Sequence, residues 1–236
     1  MTVKQVERLS ITGIFLGALL LRLYALNYLP QRPVTDDACE YEYIAQNLIK
    51  AVKGEALEDN NRFVYLGAKR GWLYPLFITA VYEVSGPSDF FVRLAQVIID
   101  ALSCLLVYGI GRNIFNRRTG VTAAFLYSLY PGFIYYSTML YQETTAIFLI
   151  TLCFFSLQRA FSQKQPILYF ISGILVTIIT FYRSGFLFFA LLTVPILFIA
   201  LQSYYKKSFL SSASVILIFL PSKSLFDFFY LYIKMI

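Results

Sequence analysis

Apolar residues gather into long runs separated by short polar breaks, at roughly 9–29, 90–111, 119–138, 144–161, 166–182, 185–203 and 208–226. Each approaches the ~20 apolar residues that a membrane-spanning helix needs. The stretch WLYPLFITAVYEVSG, residues 72–86, departs from this pattern. It holds only about a dozen apolar residues, with Pro75 near its start, and suits an interfacial or re-entrant helix better than a span. Upstream of it, Tyr41, Ile44, Ala45, Leu48, Ile49 and Val52 recur at helical spacing. They predict an amphipathic helix of about four turns lying on the membrane, with Gly54 placed to cap its end.

Composition agrees with this pattern. Of 236 residues, 58% are hydrophobic and 14% charged, with mean hydropathy +0.66, whereas a soluble domain carries about 25% charged residues. The expected class is an all-α polytopic membrane protein: one membrane domain over 1–236, about seven spans, and one long outer loop at 30–89 carrying juxtamembrane helices. Aromatic residues make up 18% of the chain, including 19 Tyr, which suits membrane interfaces. The N-terminal run follows the basic start MTVKQVERLS and lacks a small-x-small cleavage site, so it reads as a signal anchor retained as the first span.

The net charge of +7 does not point to nucleic acid, because basic residues of membrane proteins collect in cytoplasmic loops. If 72–86 does not cross, then Lys4 and Arg8, Arg112 to Arg118, Arg159 with Lys164, and Lys206 with Lys207 all share one face. If it crosses, the later basic loops fall opposite the N-terminus. The first arrangement obeys the positive-inside rule. It places the N-terminus in the cytoplasm and residues 30–89 outside, with a bacterial plasma membrane as the expected location.

There is no histidine, which leaves carboxylates as the acid–base groups. The cysteines, Cys39, Cys104 and Cys153, have no CxxC spacing, and two lie in apolar runs as small hydrophobes. The long loop opens on TDDACEYEYIAQNL, residues 35–48, with Asp36 and Asp37 at the start of the amphipathic helix. Two readings stand side by side. Acids in a first turn complement the helix dipole, and Asp37 with Glu40 resembles a capping box; yet two adjacent carboxylates are more than a cap needs. In the same outer layer fall Glu143, Arg93, Arg183, Lys69 and Arg70. Each also has a plain alternative as a cap neighbour, a snorkelling cation or a helix–helix contact. Asp100 lies deepest, where a structural role is expected. Pro131 and Gly132 interrupt the third run and predict a kink.

Carboxylates beside cations at a membrane surface suit transfer of a sugar from a lipid-linked phosphate donor. Arg and Lys would hold the phosphate and stabilise the leaving group. A carboxylate would take the acceptor proton as C1 is displaced with inversion. At this point a resemblance appears, in TDDACEYEYIAQNL, GWLYPLFITAVY and FVRLAQVIIDALSCLLVYGIGRNIFNRRTGVTAAFLYSLYPGFIYYSTMLYQETTAIFL. The chain resembles the N-terminal half of GT-C class membrane glycosyltransferases, in particular the dolichyl-phosphate-mannose protein mannosyltransferase superfamily with its bacterial aminoarabinose transferase relatives. The resemblance implies Asp36 as catalytic base with Asp37 as partner, and Glu143 as the second acidic position. It also matches Arg93-Leu94 at the opening of the second span and the basic loop Arg112 to Arg118. Lys69, Arg70, Arg93 and Arg183 are the expected ligands of the donor phosphate.

The implied partners are a polyprenyl-phosphate-linked sugar, an acceptor glycan, lipid or protein, and membrane lipids. The cofactor stays open: a divalent metal ion occurs in parts of the family, but an acidic pair without His does not establish one. The chain stops at Ile236 after about seven spans, where such enzymes have several more, so the expectation includes a truncated or inactive fragment. Two other readings stay open. A transporter would place charges and broken helices near the midplane; Asp100 and Pro131 are the features that keep this reading open. A non-catalytic membrane partner would fit a half-length chain.

Overall fold

The computed structural model describes residues 3–29 and 36–182. The expected spans at 185–203 and 208–226, Arg183, and the side chain of Asp36 lie outside the described residues. Among the described residues the fold is all-helical, with nine helices: α1 (Val3–Tyr28), α2 (Asp36–Val52), α3 (Asn60–Arg70), α4 (Leu73–Ser85), α5 (Asp89–Ile114), α6 (Arg117–Leu129), α7 (Pro131–Ser137), α8 (Glu143–Gln163) and α9 (Pro166–Tyr182). Three of these, α1, α5 and α8, are long and apolar enough to cross a membrane. They fall on three of the expected runs, and α9 covers a fourth as a shorter apolar helix.

The central helix is α5, which packs against α1, α4, α6, α7 and α8. Ionic contacts fix the direction of α1 against it. Near the start of α1, Glu7 accepts from the Tyr108 hydroxyl and pairs with Arg112 at 3.2 Å and Arg117 at 3.6 Å. Near the other end of α1, Arg22 pairs with Asp100. The two helices are therefore antiparallel. The end of α1 and the start of α5 emerge at the same end of the bundle, so the segment between them, with α2, α3 and α4, leaves and returns at that end. The short α4 of 13 residues matches a helix that does not cross.

The expected span at 119–138 is two helices rather than one. The α6 helix ends at Leu129, Tyr130 takes an extended backbone (φ −68°, ψ 117°), and Pro131 opens α7. Pro131 has no N–H to donate to the Tyr127 carbonyl, and its ring drives the preceding residue out of the helical region. The sequence pattern predicts a kink; the outcome is a break. Two carbonyls of the last turn still find donors, Tyr127 from the Tyr130 N–H at 3.2 Å and Ser128 from Arg22 Nη1 at 3.1 Å.

Between α5 and α6 the backbones nearly touch. A Cβ on Gly120 would sit 2.7 Å from the Tyr108 carbonyl oxygen, and one on Gly111 would sit 2.9 Å from the Gly120 Cα. The turn between them is set by Asn116, whose side chain accepts the Thr119 N–H at 3.0 Å as the N-cap of α6. An apolar cluster lies under the α2–α4 layer. It joins Ala38, Tyr41 and Ala45 of α2, Tyr74, Ile78 and Tyr82 of α4, Val92 of α5, Leu140, and Ala146 of α8.

Candidate functional site

The α2 helix is amphipathic as its spacing predicts, with Tyr41, Ile44 and Ala45 buried. It ends at Gly54, whose φ of +71° suits glycine, and the Glu55 N–H closes the last turn onto the Lys50 carbonyl at 2.9 Å. Its position is pinned at several points. Tyr41 meets Tyr74 edge-on with ring centroids 4.8 Å apart, and the Thr79 hydroxyl donates to the Ala45 carbonyl at 3.2 Å. The first turn of α2, which carries Asp37 and Glu40, is thereby held against α4.

The α3 helix was not legible in the sequence. It is mostly polar, and only Phe63, Leu66 and Gly67 are buried. Its signal is short: Asp59 caps it by accepting the Arg62 N–H at 3.0 Å, and Gly71 ends it with φ +84°. Gly67 carries no side chain because the Trp72 ring fills that place; a Cβ there would lie 2.1 Å from the ring. The chain can then turn sharply from α3 into α4, with Lys69 and Arg70 in the last turn of α3 directed at α2.

Those two cations meet the acids of α2. Arg70 donates through Nε to Glu40 and through Nη2 to Asp37, and Lys69 Nζ donates to Glu40 Oε1 at 3.1 Å. Because Asp37 and Glu40 are three residues apart on one helix face, a single guanidinium spans both. Partial burial is the largest single influence on the Glu40 carboxyl and pushes its pKa up. Its hydrogen bonds and charge interactions with Arg70 and Lys69 together outweigh that, and hold it below the ordinary carboxylate value. Glu40, which reads in the sequence as the capping-box partner of Asp37, instead ties α2 to α3.

Around the helix from this clamp, Glu42 faces the start of α5. There Arg93, buried, lies 3.6 Å from Asp89, and Asp89 accepts the Tyr82 hydroxyl at 2.7 Å. Burial raises the Glu42 pKa, and the charge of Asp89 adds to the rise; the Gln46 hydrogen bond and Arg93 oppose it. Glu143 is the first residue of α8, where a carboxylate complements the helix dipole. Its charge reaches Tyr74, whose phenol is pushed well above its ordinary value first by burial and then by neighbours including Tyr41 and Glu143.

The structure thus brings Asp37, Lys69 and Arg70 into one cluster with Glu40. It sets Arg93 and Glu143 around the same apolar cluster, on helices whose neighbouring residues Val92 and Ala146 pack with Ala38 and Tyr41. Lys69 and Arg70, expected as phosphate ligands, are engaged by carboxylates. The described acids do not fit a divalent ion. Among the described residues no group of three or more His, Cys, Asp or Glu side chains converges, and the α2 carboxylates are already matched by cations where a hard metal needs an oxygen cage. Asp100, read as structural, meets Arg22 and Tyr127 deep in the bundle. Arg22 and Glu7 are the residues that reading missed, since Arg22 sits in the first apolar run and Glu7 just before it, and the partners of both are far along the chain.

No curated protein matches the chain. Residues 69–225, more than half of its length, match the family model described as dolichyl-phosphate-mannose-protein mannosyltransferase. That match covers α4 to α9 and the positions of Arg93 and Glu143, and with the all-helical apolar fold it places the chain in this family of GT-C type membrane glycosyltransferases.

Proposed function

We propose that the chain carries the acidic half of a site for inverting sugar transfer from a polyprenyl-phosphate donor to an acceptor on the extracytoplasmic face. The observation that supports it best is the α2–α3 clamp: carboxylates and cations share one layer at the end of the bundle opposite the basic Arg112–Arg118 turn. Asp36 is the base. It removes the proton of the acceptor hydroxyl as that oxygen attacks the sugar C1; the C1–O bond to phosphate breaks, and polyprenyl phosphate leaves. Asp37 is anchored by Arg70 and acts as the supporting carboxylate. Negative charge in this turn also stabilises the positive, oxocarbenium-like C1.

Lys69 is exposed over much of its side chain and can add a phosphate to its carboxylate partner; Arg70 contributes positive charge beside it, and Arg93 and Arg183 belong to the same set. Glu143 is the second acidic position. The donor's tail remains in the bilayer, which explains why the chemistry needs no soluble nucleotide-binding domain. A transporter reading draws little support from Asp100, because that carboxylate is saturated by Arg22 and Tyr127 rather than facing a path.

The test is transfer of label from a radiolabelled polyprenyl-phosphate sugar, with a membrane extract as the source of acceptor. Asp36→Asn and Asp37→Asn, each checked for folding, are expected to lower the rate by about 10²-fold or more for loss of a general base or its partner. Wild-type rates in both variants would refute the assignment.

A further inference from the structure

Gln96 of α5 is fully buried, and both ends of its amide make hydrogen bonds to other segments. Its Oε1 accepts the Tyr74 hydroxyl at 2.8 Å. Its Nε2 donates to the Met139 carbonyl at 2.9 Å and is within 3.3 Å of the Tyr141 carbonyl. The two ends of one amide therefore grip two different segments. One is α4, through Tyr74, and Tyr74 is the ring on which Tyr41 of α2 rests. The other is the short link from α7 into α8, two residues before Glu143.

The consequence is geometric. Tyr41 is one turn beyond Asp37, and Tyr141 is two residues ahead of Glu143, so Gln96 stands between the two acidic positions of the candidate site. In the link at 139–142, the Met139 N–H reaches the Tyr136 carbonyl at 3.3 Å and the Gln142 carbonyl accepts the Ala146 N–H at 2.9 Å, so helical hydrogen bonds hold its two ends. The Met139 carbonyl accepts the Tyr141 N–H at 2.9 Å, and its remaining capacity goes to Gln96. A buried amide that satisfies both a phenol and a carbonyl in a low-dielectric setting is costly to replace by any side chain lacking either half. Apolar packing alone would leave the link free to shift along α5.

We propose that Gln96 is a positioning residue for sugar transfer: it sets the separation between the Asp37 turn of α2 and Glu143 of α8. This rests on the proposed function for its catalytic consequence, whereas the separation itself is a property of the fold.

The experiment measures both on the full chain. One nitroxide is placed on the native Cys39 of α2, which is exposed, and a second on Tyr135→Cys at the exposed face of α7. Gln96→Met keeps the volume and removes both hydrogen-bonding ends; Tyr74→Phe removes one arm with little change of shape. The expected result is one narrow label-to-label distance in the parent, a broadened or shifted distribution in Gln96→Met, and a smaller change in Tyr74→Phe. In the transfer assay, Gln96→Met is expected to lower kcat by about tenfold or more with donor KM within about twofold, as misplacement of reacting groups does. An unchanged distance distribution in both variants overturns the proposal, whatever happens to the rate. A changed distribution in a chain whose parent transfers no sugar refutes the proposed function and leaves Gln96 as the spacer. A fall in kcat matched by an equal rise in KM also overturns the proposal, since it indicates lost donor binding.

Discussion

Arg22 of α1 and Asp100 of α5 are 78 residues apart in the chain and form a buried ion pair inside the bundle. Asp100 uses its second oxygen to accept the Tyr127 hydroxyl at 2.6 Å. Arg22 uses Nη1 to reach the carbonyls of Ala18 and Ser128, both at 3.1 Å. The Ser128 carbonyl is one that the break at Pro131 left without its helical donor. The pair thus joins three helices and closes the C-terminal end of α6, where positive charge is favoured.

Removing one partner leaves the other charge buried. Asp100→Ala or Arg22→Ala is expected to destabilise the fold by about 3–5 kcal/mol. The double variant Arg22→Met, Asp100→Leu should recover much of that loss, because no charge is left alone. Thermal unfolding in detergent, compared across the two single variants and the double, reads this out. Single variants as stable as the parent would show that the pair contributes nothing to holding α1, α5 and α6 together.

The Glu40 and Glu42 carboxyls, two residues apart, should give opposite pH signatures. Glu40 is held below its ordinary pKa of 4.5. Its clamp on Arg70 and Lys69 therefore stabilises fully above about pH 4.5 and fades as pH falls through the lowered folded value. Glu42 is raised above 4.5. Its ionisation is therefore penalised by folding, and stability is lost as pH rises from 4.5 through the raised value. Relative to the parent, Glu40→Gln should be less stable at neutral pH and converge with it in acid. Glu42→Gln should match the parent in acid and gain on it as pH rises. Unfolding midpoints measured against pH test both, and curves of the same sign would refute the electrostatic assignments.

Much of the fold was legible because apolar length and helical period are local. The helices α1, α5 and α8 lie where the runs place them, and the α2 face follows Tyr41, Ile44 and Ala45 to the core. Non-local effects were harder to see. Pro131 signals a disruption, but whether a helix kinks or breaks depends on donors for the freed carbonyls, and here Arg22 comes from another helix. The α3 helix has too narrow an apolar face to announce itself, and packing of Phe63 and Leu66 with Ile44 of α2 holds it. At the candidate site the residue types and their layer were visible, since Asp37, Lys69 and Arg70 stand out in an apolar chain. Their pairing was not, because it depends on the turn at Gly67, Trp72 and Gly71 that aims the end of α3 at α2.

The close approach of α5 and α6 yields a packing test. Gly120→Ala adds a methyl group 2.7 Å from the Tyr108 carbonyl and 2.8 Å from the Arg112 nitrogen, both backbone atoms that cannot swing aside. The expected cost is about 1–3 kcal/mol, as for other overpacked contacts. Gly13→Ala in α1 is the comparison. A Cβ there meets nothing within 4 Å among the described residues, and the change should be neutral or stabilising by up to about 1 kcal/mol from helix propensity. Equal effects at the two positions, read by thermal unfolding, would mean that the α5–α6 contact is looser than its geometry implies.

The contacts of Glu7 and Arg22 along α5 carry a prediction about sidedness. Since α1 and α5 are antiparallel and pinned at two levels, residues 36–88 must leave and rejoin the bundle at one end. The turn at Asn116 lies at the other. Single cysteines at Asn60 and Pro87, both exposed, introduced after Cys39→Ser, should react with a membrane-impermeant maleimide applied to intact cells. A cysteine at exposed Asn116 should be protected until the cells are opened. The basic Arg112, Arg117 and Arg118 near that turn make the cytoplasm its expected side by the positive-inside rule. Labelling of 60 and 87 from opposite sides would mean that α4 crosses despite its 13 residues, and would dismantle the arrangement in which Asp37 and Arg93 share a layer. Labelling of 116 alone in intact cells would keep the fold and invert it, moving the acidic cluster to the cytoplasmic face.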